Sequence, residues 1–189
     1  MPRSEQANLD LARDILSRAK AHAQVEVTLI QSETTMVRVN GGEVEQLSQA
    51  VSRGLGVRVI EGGRMGYTYT SDLSREGIAE ALSGAPALAQ SADPDPHRSL
   101  PEAEPSMSDD LDILDAGFDA VSIEEKIALS KEMERAALAA DPRIVATLRA
   151  TYSDARTSVA LANSQGFASA YQRTSAAGWI QAMARDEGG

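Results

Sequence analysis

Apolar and small residues share one helical face near the start of the chain. Ala7, Leu11, Ile15, Leu16 and Ala19 recur at the period of an α-helix, with charges opposite and Ser4 or Asn8 placed to cap. The pattern predicts an amphipathic helix over 4–21. The period then drops to two. In "QVEVTLIQSETTMVRV" Val25, Val27 and Leu29 alternate with Glu26 and Thr28, the polar run 31–35 interrupts, and the pattern resumes at Met36 and Val37. Two strands are expected there, followed by a turn at "NGG", because Asn and Gly tolerate positive φ. The stretch 43–52 fits either period, and its place after a hairpin turn favours strand. Next, Leu55, Val57 and Val59 alternate with Gly56 and Arg58, "GGR" turns the chain, and "MGYTYTS" returns as a strand of Tyr and Thr. Gly54, Gly56 and Gly66 stand inside or beside strands, where a missing side chain signals a bulge or a close backbone approach.

Asp72 or Ser74 can cap a second helix through "REGIAEALSGAPALAQ", apolar at Ile78, Ala81, Leu82 and Ala85. Residues 93–120 are acidic and proline-rich and read as a linker, so domains are expected at 1–92 and 121–189. A third helix follows, with a capping box from Ser122 to Glu125 and Ile123, Ile127, Leu129 and Met133 or Ala137 on its inner side. Pro142 stops it. Two long strands hinged at "NSQG" complete the chain. The fold class is α+β: an N-terminal antiparallel sheet with flanking helices, then a helix and the start of a second, mainly antiparallel β region.

Composition narrows the function classes. Eighteen basic against 28 acidic residues give a net charge of -10, a field that repels phosphate backbones and anionic lipid, so neither direct nucleic-acid nor membrane binding is expected. Without cysteine the chain has no disulfide, thiol nucleophile or thiolate metal ligand, and a cytoplasmic location is expected. No apolar run has the length of a signal peptide core or a membrane span.

Catalytic apparatus is scarce. The two histidines, His22 and His97, are far apart; His22 reads as a surface residue at a helix end and His97 as an exposed linker residue, so no metal site and no catalytic residue is assigned. Glycines at 54, 56, 62 and 63 precede a strand where a dinucleotide loop needs a helix. No GxSxG elbow or P-loop lysine occurs. The acidic pairs Asp109/Asp110 and Glu124/Glu125 read as solvated charge and helix-dipole complement. Arg53, Arg58 and Arg64 cluster near the glycine hairpin; of these Arg58 and Arg64, with Tyr67, are the candidate residues for contact with a peptide or a partner.

Taken in order, "GLGVRVIEGGRMGYTYTSDLSREGIAEAL", the acidic spacer, "SIEEKIALSKEMERAALAADPRI" and "ANSQGFASAY" resemble the N-terminal part of the TldD/PmbA family, once called modulators of DNA gyrase. The resemblance runs from about Val25 to Arg185, and the spacer and "ANSQGFASAY" look more like the PmbA, or TldE, subunit than the zinc-bearing one. It implies a paralogous pair forming a heterodimeric cytoplasmic zinc metalloprotease that matures or degrades unstructured peptides. The family's HExxxH-type zinc motif is absent from these residues, so the chain is expected to be inactive alone, with zinc in the catalytic subunit and none here. Members of the family are about twice this long, which implies that the sequence stops before a C-terminal domain. The resemblance implies a role in scaffold, dimer contact and peptide access, with a TldD-type subunit, or a second copy, as partner. An edge strand at "MGYTYTS" or "GFASAYQ" could hold an extended peptide through its backbone. The alternative function is a non-enzymatic regulatory protein of the gyrase-modulator type.

Overall fold

The computed structural model describes residues 3–19, 24–103 and 111–186. His22 and the pair Asp109/Asp110 lie outside them. Helix α1 (Arg3–Ser17) precedes strands β1 (Gln24–Asn40), β2 (Glu43–Glu61) and β3 (Arg64–Thr70); helix α2 (Arg75–Gln90), a short 3-10 turn (Phe118–Ala120), helix α3 (Ile123–Ala140) and strands β4 (Ile144–Asn163) and β5 (Ala168–Ala184) follow. The strands form one five-stranded sheet in the order β3-β2-β1-β4-β5, so the fold is α+β and its sheet edges are β3 and β5.

The stretch expected to hold two strands is one. Thr35, Val37 and Val39 are buried on the same odd parity as Val25, Val27 and Leu29, so the polar run between them does not break the strand. The ambiguous stretch 43–52 is the first half of β2. Both hairpin turns are glycine pairs with positive φ, 61° and 78° at Gly41 and Gly42, 57° and 74° at Gly62 and Gly63, which matches the right-handed twist of the flanking strands.

The chain divides into two compact units, and β1, β2, β4 and β5 each contribute to both. The first comprises residues 1–32, 52–111 and 157–172. Its core joins Leu9, Ala12 and Ile15 of α1, Val25, Val27 and Leu29 of β1, Leu55, Val57 and Val59 of β2, and Ile78, Ala81 and Ala85 of α2. Ser74 caps α2 by accepting from the Gly77 N–H, and Asp72 in turn accepts from the Ser74 N–H, which holds the Asp72 carboxyl below its usual range. Residues 91–103 are anchored here: Asp95 N–H donates to the Gly63 carbonyl, Leu100 N–H to Gln24 Oε1, and Leu100 is buried.

The second unit comprises 33–51, 112–156 and 173–189. The capping box at Ser122 and Glu125 forms as expected. The inner stripe of α3 differs: Lys126, Ser130 and Glu134 are its buried residues, Ile127 flanks them against Val37, Val39 and Tyr152, and Leu129 is exposed. Polar groups win the deep positions because the elements beneath supply partners. Glu134 accepts from the N–H groups of Gly41 (2.9 Å) and Gly42 (2.6 Å) and from Thr147 Oγ1 (2.6 Å), tying α3 to the β1–β2 turn and to β4.

Glu134→Ala is therefore expected to cost about 2–3 kcal/mol by stranding these donors, read as a lower urea midpoint. Burial pushes the Glu134 carboxyl up, but the Thr147, Gly42 and Gly41 hydrogen bonds and the Lys131 charge outweigh it and hold the pKa below the ordinary 4.5. The stability advantage over Glu134→Gln is present above the ordinary glutamate range and fades as pH falls through the lowered folded value.

Candidate functional site

In the first unit β2 and β3 pair antiparallel, with Arg58 opposite Tyr67 and Gly56 opposite Tyr69. Side chains alternate across the sheet, so the even residues of β3 meet α2 and the odd ones face away. On the α2 side, Thr68 Oγ1 donates to the Ala81 carbonyl at 2.8 Å, and a Cβ on Gly66 would lie 1.9 Å from the Ala85 oxygen. Gly66 is thus a close backbone approach. On the other side Met65, Tyr67 and Tyr69 are exposed, and the two tyrosine rings fold over the glycines of β2. A Cβ on Gly54 would meet Tyr69 Oη at 2.2 Å, and one on Gly56 would meet Tyr67 Oη at 2.6 Å. The rings fill the gaps that the strand glycines leave.

Arg58 reaches across this face to Glu26 of β1 at 2.7 Å, and Glu26 is buried beneath it. The Arg58 Nε, also buried, has no hydrogen-bond partner among the described residues. Arg58 and Tyr67 therefore share one surface. Arg64 does not: it lies on the α2 side, where its guanidinium donates to the Ala92 carbonyl beyond the helix end. Tyr67 stands three positions after Arg64, an odd step that puts them on opposite faces. His97 is exposed, with its N–H donating to Asp95 Oδ1.

Sequence reasoning missed a charged cluster in the second unit. Lys126 Nζ lies 2.6 Å from Asp154 Oδ2, and Tyr152 Oη donates to the same oxygen at 2.9 Å. Lys126 and Arg156 both approach the Phe118 ring, at 5.5 and 5.0 Å from its centroid, and Arg156 pairs with Asp119 at 2.6 Å. A cavity of about 520 Å³ opens beside the cluster, walled by Phe118, Ile123, Lys126, Asp154 and Thr35. The sequence offers little early sign of it, because Lys126 and Ser130 sit in a helix that carries charged residues along most of its length. The first unit holds a cavity of about 570 Å³ bordered by Arg18, Val25, Val59, Ile78, Leu82 and Pro86.

Among the described residues no three His, Cys, Asp or Glu side chains gather in a way that could hold a metal ion. These residues do not fit a zinc centre. No helix among them is long and apolar enough to cross a membrane.

Residues 25–89 match the PmbA/TldA metallopeptidase domain 1 and residues 116–189 match the PmbA/TldA metallopeptidase central domain. The chain belongs to the PmbA/TldD metallopeptidase family. It is 28% identical over 165 residues to the metalloprotease PmbA homolog of Haemophilus influenzae, covering 86% of this chain and 36% of that protein. It is 30% identical over 151 residues to the metalloprotease PmbA of Escherichia coli O157:H7, covering 79% and 33%. The chain thus spans about a third of the length of these curated relatives. Among solved structures, a candidate modulator of DNA gyrase from Bacteroides thetaiotaomicron superposes with a TM-score of 0.83 at 24% identity, over 96% of this chain and 42% of that one. TldE from Thermococcus kodakarensis superposes at 0.66 and 18% identity, over 94% and 39%. These two likenesses concern the fold.

Proposed function

We propose that the chain is the N-terminal part of a subunit of a TldD/TldE-type metallopeptidase complex that degrades or matures unstructured peptides. This part supplies scaffold, contact with the paralogous subunit and access for substrate, in the cytoplasm. The zinc and the hydrolytic step belong to a catalytic subunit. The observation that carries the reading is the match of residues 25–89 and 116–189, in that order, to two successive domains of the family. The likeness to TldE favours the partner-subunit role.

Co-expression with a TldD-type relative tests it. The expected result is co-purification and chelator-sensitive cleavage of an unstructured peptide, with neither zinc binding nor cleavage by the chain alone. Stoichiometric zinc and turnover in the isolated chain would overturn the reading, as would no gain in turnover on adding it to the relative. A second reading, regulation of a DNA enzyme, is favoured by the gyrase-modulator description of the Bacteroides relative. Retention of purified gyrase, and not of the TldD-type relative, would select it.

A further inference from the structure

The two sheet edges are not equivalent. At β5 the chain covers the edge at Thr174: its N–H donates to the Ile113 carbonyl at 2.9 Å, and Asp115 N–H donates to Thr174 Oγ1 at 2.9 Å. At β3 the pair Glu61 and Arg64 closes the two-residue turn, so Val59/Gly66, Val57/Thr68 and Leu55/Thr70 are the hydrogen-bonded pairs that follow. Gly66, Thr68 and Thr70 spend their backbone groups on β2. Met65, Tyr67 and Tyr69 send theirs outward, and among the described residues no backbone group meets them. Few of the devices that blunt an edge are present: β3 carries no proline or lysine, and its one charged residue, Arg64 at its first position, is tied to Ala92.

We propose that the β3 edge captures an extended, unstructured segment of another polypeptide by strand addition, through the backbone of Met65, Tyr67 and Tyr69. The inference rests on the peptide-handling reading above and places the contact on this chain. Helix α2 decides the occupant. The clearance at Gly66 puts α2 directly over β3. A second copy pairing antiparallel with β3 would bring its own α2 to the same face, one strand spacing of about 4.8 Å away, where two helices need roughly 8–10 Å. A lone extended segment has no helix and fits. Its side chains on one face lie beside Met65, Tyr67 and Tyr69. On the other they run under the flank of α2, where Gly84 sits over Thr68 and Leu88, one turn on, is 53% exposed. Apolar side chains suit both faces, and backbone pairing supplies affinity with little demand on sequence.

The test uses a fluorescent capped heptapeptide of alternating Val and Thr, titrated against the whole chain and followed by anisotropy. N-methylation of alternate amides distinguishes strand addition from side-chain docking, because only one parity of peptide N–H faces β3. Methylation of that parity is expected to weaken binding at least tenfold and of the other parity less than twofold. Met65→Pro removes an outward donor and is expected to weaken binding at least tenfold, whereas Met65→Ala keeps the donor and binds within about threefold; circular dichroism establishes that both fold. Binding that ignores methylation parity and Met65→Pro overturns the β3 assignment while peptide handling stands. A concentration-dependent dimer in sedimentation, lost in Met65→Pro, overturns it in favour of a second copy. Failure of the peptide-handling reading shows separately, as no peptide cleavage by the assembled complex.

Discussion

Gly66→Ala is expected to lower stability by about 3 kcal/mol, roughly 6–12 °C of melting temperature for a chain of this size. The added Cβ would stand 1.9 Å from the Ala85 carbonyl oxygen and 2.5 Å from the Ala89 nitrogen. Both neighbours are backbone of α2, so no rotamer change relieves the clash, and the helix must lift from a core that includes Ile78, Ala81 and Ala85. Gly62→Ala makes the contrast, since its Cβ meets nothing within 4 Å and only its φ of 57° is strained, a cost of about 1 kcal/mol. Thermal unfolding of the two variants side by side checks the argument. If Gly66→Ala proves no worse than Gly62→Ala, the contact between α2 and β3 is not a tight one, and the steric case against a second copy at the β3 edge goes with it.

The same glycines show what can be read from sequence and what cannot. The turns at Gly41–Gly42 and Gly62–Gly63 and the alternation of Leu55, Val57 and Val59 are local signals, and they determine the β1–β2 and β2–β3 hairpins. That parity also implied that Arg64 and Tyr67 lie on opposite faces, although their closeness in sequence grouped them as one site. The pairing of β1 with β4 carries no local signal, because it joins positions as distant as Ser32 and Thr157, whose hydroxyls lie 3.2 Å apart. Nor does periodicity reveal the inner stripe of α3. Apolar spacing selected Ile123, Ile127 and Leu129, yet Lys126 and Glu134 are buried because Asp154, Thr147 and the Gly41–Gly42 turn meet them. A polar residue in a helix betrays its depth only when its partner is known, and these partners are contributed by other elements.

Asp154→Ala is expected to be among the most damaging single changes, at about 3–5 kcal/mol, because it leaves the Lys126 ammonium buried without its counter-charge. The two side chains are 8% and 3% exposed, so water screens the pair little. Lys126→Met should cost about as much for the mirror reason, a buried Asp154 carboxylate left, among the described residues, with the Tyr152 hydroxyl. Replacing both, as Lys126→Met with Asp154→Leu, removes the charges together and should recover much of the loss, with a coupling of at least 2 kcal/mol in a double-mutant cycle. Tyr152 adds a pH signature. Burial, then the hydrogen bond to Asp154 and its charge, push the phenol from 10.0 up to about 12. With the folded value raised, the contribution of Tyr152 is complete below pH 10 and is lost as pH rises to about 12, because the unfolded chain ionises first. Unfolding midpoints between pH 9 and 12 should therefore fall more steeply for the native chain than for Tyr152→Phe. Parallel slopes would mean that the Tyr152 hydroxyl does not lie buried against Asp154.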